Sequence, residues 1–112
     1  MGAFAAGQVV LLPFPFSDLS RSKLRPALLL ANAGRTDWIA CQITSNPYAD
    51  TFAIELTNAS FRTGSLRRVS YVRPGKLFTA NESLIAANVG SLKPETLNRV
   101  GNAVAAMILA RR

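Results

Sequence analysis

The sequence predicts a mostly β fold: a small, mainly antiparallel barrel of about five to seven strands, with one short helix and a C-terminal helix. Three observations carry this. The first two-thirds consist of short apolar runs punctuated by Pro, Gly, Asn and Ser. One later run alternates apolar and polar residues with period two, as a half-exposed strand does. The final third switches to apolar residues three and four apart, the period of a helix.

Gln8-Val9-Val10-Leu11-Leu12 reads as a buried strand, ended by Pro13-Phe14-Pro15. Phe16 to Lys23 is polar and reads as a loop. Pro26 opens a second buried strand, Ala27-Leu28-Leu29-Leu30-Ala31, because proline is tolerated where a strand begins. Asn32 to Asp37 is a turn. Trp38 to Ile43 forms a third strand that stops at Thr44-Ser45-Asn46-Pro47. Thr51 to Leu56 alternates and forms a fourth, with Phe52, Ile54 and Leu56 on the inner face. Leu66 to Val72 is a fifth. Thr79-Ala80-Asn81-Glu82 has capping-box spacing, which predicts a short helix over Glu82 to Ala87. Val89-Gly90-Ser91 breaks it. Pro94 suits the first turn of the last helix, with Glu95 at its positive end and Arg111 and Arg112 at its negative end. Leu97, Val100, Val104, Met107 and Ile108 mark its inner face.

The chain has 112 residues, 49% hydrophobic and 17% charged, which suits one domain over residues 1–112 and excludes a disordered chain. It has no histidine and one cysteine. A Cys/His zinc site within the chain, a Ser-His-Asp triad and a Cys-His pair are therefore excluded. Catalysis would rest on carboxylates, Arg, Lys, Tyr or hydroxyls. Cys41 cannot form an internal disulfide, so a reducing compartment fits, and its apolar neighbours make it a core residue. The uncharged start, Met1 to Phe16, lacks a basic segment and is broken by two prolines, unlike a signal peptide. No apolar run reaches the roughly 20 residues that span a bilayer. A cytoplasmic protein with no membrane association is expected. The Asn58-Ala59-Ser60 sequon is a chance match in that setting.

Thirteen Lys and Arg against six Asp and Glu give a net charge of +7. All the basic residues are Arg except Lys23, Lys76 and Lys93. Guanidinium groups bind phosphate and carboxylate in bidentate fashion, so a polyanionic partner is expected. A merely solvated basic surface fits the net charge equally well. The second strand begins at Arg25-Pro26 and the third ends in Thr44-Ser45. In one small barrel, a guanidinium and two hydroxyls can meet at one rim and hold a charged phosphate. Arg25 on a solvated edge and Thr44 as an ordinary strand-end hydroxyl are the plain alternative. Arg62, Arg67, Arg68, Arg73 and Lys76 form a second basic stretch, with Arg67 and Arg68 on opposite faces if the segment is a strand. Tyr71 could stack on bases there, whereas Phe78 suits the core or a subunit contact. Asp18 is the carboxylate nearest Arg25 in sequence, either a general base or a loop-capping Asx turn.

Four segments together resemble the PemK/MazF family of bacterial toxins: Gly7-Gln8-Val9-Val10-Leu11-Leu12-Pro13-Phe14-Pro15-Phe16, Arg25-Pro26-Ala27-Leu28-Leu29-Leu30, Cys41-Gln42-Ile43-Thr44-Ser45 and Ser70-Tyr71-Val72-Arg73-Pro74. The resemblance covers nearly the whole chain. It implies an SH3-like barrel acting as a homodimer. The sequence carries none of the usual carboxylate clusters, so no metal or other cofactor is expected. The resemblance implies the toxin of a type II toxin–antitoxin system, a sequence-specific, ribosome-independent endoribonuclease that cuts single-stranded RNA. Its partner would be a cognate antitoxin with an acidic, partly disordered tail. By the resemblance, Arg25 and Thr44 are the catalytic pair, with Ser45 in support. The resemblance also assigns Phe16, Ser17, Asp18, Ser20, Arg21, Lys23 and Arg73 to the RNA groove. The family's carboxylate before the Val-Arg element is replaced here by Ser70-Tyr71. A gyrase-poisoning toxin of the same fold and a non-catalytic nucleic-acid-binding module are the competing readings.

Overall fold

Strand formation is dictated by apolar runs that bury both of their faces. In the computed structural model, which describes residues 4–13 and 23–111, β1 (Gln8–Pro13), β2 (Leu24–Gly34) and β3 (Asp37–Thr44) are the central strands. Adjacent residues on them point into different cores. Val9, Leu28 and Cys41 enter one cluster, with Ile43, Val72 and Val100. Val10, Ala27, Leu29 and Ala40 enter the other, with Trp38 and Ala80. Strands covered on both sides read as continuous apolar sequence, which is why these three were recognisable. Each fully buried Val or Leu contributes roughly 1.5–3 kcal/mol relative to exposure.

The remaining elements are β4 (Ile54–Leu56), β5 (Phe61–Gly64), β6 (Ser70–Asn81), β7 (Ala87–Leu92) and α1 (Pro94–Ala110). The seven strands run in the order β4-β6-β3-β2-β1-β7-β5, and every pairing is antiparallel. The result is the expected mostly β architecture, a nearly closed barrel with one C-terminal helix. Val100 of α1 is fully buried, and Leu97, Ala103 and Val104 pack beside it against the first core. Pro94 sits in the first turn with Glu95, as expected, and the helix ends in a left-handed Arg111. No helix among the described residues is long and apolar enough to cross a membrane.

Four expected elements differ. The short helix over Glu82 to Ala87 is instead a single 3₁₀ turn, Glu82–Leu84. Its cap is Asn81, whose side chain accepts from Ser83 N–H, and not Thr79, which lies within β6. Tertiary contacts fix this turn. Glu82 Oε2 accepts from Trp38 Nε1 at 2.9 Å, and Ala86 N–H donates to the Leu11 carbonyl, leaving no room for a second turn. The fourth strand is confined to Ile54–Leu56. Thr51 and Phe52 lie in a turn, and Phe52 is exposed instead of inward. The fifth expected strand begins only at Ser70, because Leu66 to Val69 form an irregular loop. Val89-Gly90-Ser91, expected as a helix break, lies within β7. Glycine is required there because β5 approaches closely: a Cβ on Gly90 would meet the Thr63 carbonyl at 2.6 Å.

Cys41 is fully buried, and burial pushes its thiol up to about 12. It is the core residue its neighbours suggest, and its sulfur stays protonated at neutral pH.

Candidate active site

The β2–β3 ladder places the two principal candidates. It pairs Leu28 with Cys41 and Ala27 with Gln42. Two residues beyond, toward the strand ends, come Arg25 on β2 and Thr44 on β3, and both line one cleft. The ladder itself stops at Ala27. Pro26 has no N–H to offer, and Thr44 keeps only its pairing with Tyr71 of β6, on the other edge of β3. β2 and β3 thus part before Arg25 and Thr44. A cleft of about 470 Å³ opens there, lined by Arg25, Thr44 and Ser45 together with Tyr48, Arg67 and Arg68. Leu11, Pro26, Ile43 and Leu66 form its apolar floor and walls.

The sequence-predicted group Arg25, Thr44 and Ser45 is therefore brought together. Lys23 is exposed just before β2. Phe16, Ser17, Asp18, Ser20 and Arg21 lie outside the described residues. Arg67 and Arg68 were expected on opposite faces of a strand. They instead occupy a bend between β5 and β6, where strand alternation does not apply, and both line the cleft. Three arginines and no carboxylate among the described lining residues make the cleft positive. No three His, Cys, Asp or Glu side chains among the described residues cluster as a metal site.

Arg73 is placed differently. Its Nε donates to Asp50 Oδ2 at 3.0 Å, and both side chains are largely buried. It lies along a separate shallow groove with Asp50, Phe52 and Lys76. In β6 it precedes a bulge: Leu77 pairs with Cys41 but Arg73 pairs with Gln42, so Pro74 to Lys76 leave the ladder. The Arg73 guanidinium lies 5.7 Å from the centroid of the Tyr48 ring. Arg73 thus meets the cleft through Tyr48. The hydrogen bond from Arg73 holds the Asp50 carboxyl below the usual carboxylate range. Its contribution to stability is accordingly complete above that range and is lost as the pH falls through the lowered value.

Tyr48 was not singled out by the sequence. It follows Asn46-Pro47 in the connection between β3 and β4, and the turn signal of that dipeptide was its only mark. The connection is tightly tied. Thr44 Oγ1 accepts from Asn46 N–H and donates to the Asn46 carbonyl, both at 3.1 Å. Asn46 Oδ1 accepts from Tyr48 N–H, and the Pro47 carbonyl accepts from Asp50 N–H. Tyr48 and Ala49 have φ of 53° and 62°, the signs of a type I′ turn, whose central positions favour Asn-Gly. Two side-chain-bearing residues in that region cost about 1–2 kcal/mol each. The surrounding hydrogen bonds and the Asp50–Arg73 pair offset this.

The fold and cleft define a small β-barrel protein with an arginine-lined, hydroxyl-bearing cleft. The profile of the PemK-like, MazF-like toxins of type II toxin-antitoxin systems matches residues 5–108, and the chain belongs to that family. Among curated proteins, none matches the sequence. Among solved structures, it is similar to an endoribonuclease in complex with its cognate antitoxin from a mycobacterial species. That match has 19% identity and a TM-score of 0.71 over 96% of this chain and 95% of that one. It is also similar to MazF from Deinococcus radiodurans, at 22% identity and a TM-score of 0.69, covering 92% and 94% of the two chains. A MazE–MazF complex from the same organism matches at 19% identity and a TM-score of 0.72, with the same coverage.

Proposed function

We propose that this toxin is a sequence-specific, ribosome-independent endoribonuclease that cuts single-stranded RNA by attack of a ribose 2′-OH on the adjacent phosphate. The observation that carries the reading is that Arg25 and Thr44 line one cleft, which three arginines make positive. Such a cleft suits a phosphodiester, whose charge rises in the transition state. Arg25 donates to the phosphate oxygens. Its guanidinium stays charged and serves as a donor, not as a base. The Thr44 hydroxyl turns its proton from the Asn46 carbonyl toward the phosphate and fixes its orientation, with Ser45 beside it. Arg67 and Arg68 attract the flanking backbone, as do Lys23 and the segment holding Phe16, Ser17, Asp18, Ser20 and Arg21. No cofactor enters this scheme. Arg73 acts on RNA through Tyr48. The structural neighbours crystallised with an antitoxin support a cognate antitoxin as the protein partner.

The test is incubation of the purified protein with a long single-stranded RNA in EDTA. Cutting at a recurrent short sequence supports the reading. Intact RNA together with arrested gyrase would assign the chain to the gyrase poisons instead.

We further propose that the working unit is a homodimer. Phe52, Ile108 and Leu109 are exposed by 55%, 60% and 68%, and C₂ dimers are the commonest oligomers. Sedimentation at micromolar concentration should give twice the chain mass. A species of 12.0 kDa alone would contradict the dimer.

A further inference from the structure

We infer that Tyr48 is a stacking platform for a nucleobase next to the scissile phosphate, and that Arg73 is the positioning residue that backs it. This rests on the RNA-cleaving reading above. Three independent features point to it. First, the ring borders the same cleft as Arg25 and Thr44 and is 65% exposed, unusual for an aromatic side chain with a neighbouring core available. Second, its backbone and that of Ala49 are held in the left-handed region that neither residue favours. Strain of this kind persists only where the surroundings over-determine it, and it concentrates at ligand clamps. Third, the ring has a fixed cation beside it. The Arg73 guanidinium lies 5.7 Å from its centroid, within cation–π range, and Asp50 anchors Arg73 through a 3.0 Å ion pair. The ring is otherwise largely exposed at the cleft.

An exposed aromatic ring beside a candidate phosphate site suits single-stranded RNA, whose unpaired bases are splayed out and stack on such rings. Double-stranded nucleic acid has no free base face to offer. The chain of contacts from Asp50 to Arg73 to Tyr48 also explains why the later arginine lies off the cleft. Its guanidinium is engaged by a carboxylate and a ring, so it shapes the platform instead of meeting phosphate.

The experiment compares wild type, Tyr48→Phe and Tyr48→Ala. The probe is a single-stranded RNA oligonucleotide spanning a mapped cut site, with a 2′-deoxy nucleotide at the cut so that binding is read without cleavage. Further probes remove the base from the nucleotide on either side of the cut. Tyr48→Ala should raise Kd about tenfold, whereas Tyr48→Phe stays within about twofold. Removing one flanking base should weaken wild type about tenfold and weaken Tyr48→Ala no further. A purely structural role for Tyr48 would not abolish the penalty for one particular base. Equal base penalties in wild type and Tyr48→Ala, or a Phe variant as weak as Ala, overturn the platform. So does a Tyr48→Ala protein that binds as wild type does. Failure of folded wild type to bind or cut any RNA overturns the endoribonuclease reading itself, a result distinct from these.

Discussion

Arg25→Ala should leave a folded protein that no longer cuts RNA at a useful rate. The guanidinium is exposed at the point where β2 parts from β3, so its removal empties no core position. Circular dichroism should therefore match wild type. The loss should be about 10²–10³-fold, the usual cost of one transition-state donor. A folded mutant with full activity would remove Arg25 from the mechanism. Thr44→Val should be less severe in the chemical step but broader in effect. Valine deletes the oxygen that accepts from Asn46 N–H, so the connection carrying Tyr48 loosens as well.

The second large effect lies in the substrate. Replacing the nucleotide on the 5′ side of the cut by its 2′-deoxy form should block cleavage while leaving binding nearly unchanged. The chain has no histidine, and no carboxylate among the described residues lines the cleft. A nucleophile already attached to the substrate needs little activation, because covalent geometry holds it beside the phosphate. The products should be a 2′,3′-cyclic phosphate, or its hydrolysed 3′-phosphate, and a 5′-OH, formed in EDTA as in buffer. A deoxy-substituted strand cut at the normal rate would disprove 2′-OH attack.

What the sequence revealed follows from how each segment is buried. The three central strands are covered on both faces, and their apolar runs have no other explanation. β5 and β7 were hidden for the opposite reason. In β5 only Phe61 is buried, and β7 carries Asn88, Gly90 and Ser91, poor strand formers held by their partners on either side. Glu82 misled because a capping-box spacing is local, while the bond from Trp38 Nε1 that fixes the turn spans 44 residues. In the cleft, Arg25 and Thr44 were legible as strand ends joined by a family resemblance. Arg67 and Arg68 were read through a strand period that their bend does not have. Tyr48 carried no periodic signal at all. Its significance lies in exposure, backbone angle and a partner in β6, none of which neighbouring residues encode.

Cys41 offers a clock. It is the chain's one thiol, it sits at 0% exposure in β3, and burial keeps it protonated. A thiol-reactive reagent cannot reach it while β2, β3 and β6 stay together, so labelling proceeds only through openings that separate the central sheet. Where reclosing outruns the reagent, the labelling rate measures the free energy of that opening. With no second cysteine to confuse the reading, mass spectrometry of alkylated protein would follow the stability of the native toxin in dilute buffer, without denaturant. Antitoxin binding, if it favours the closed barrel, should slow the clock in proportion to its affinity and free concentration.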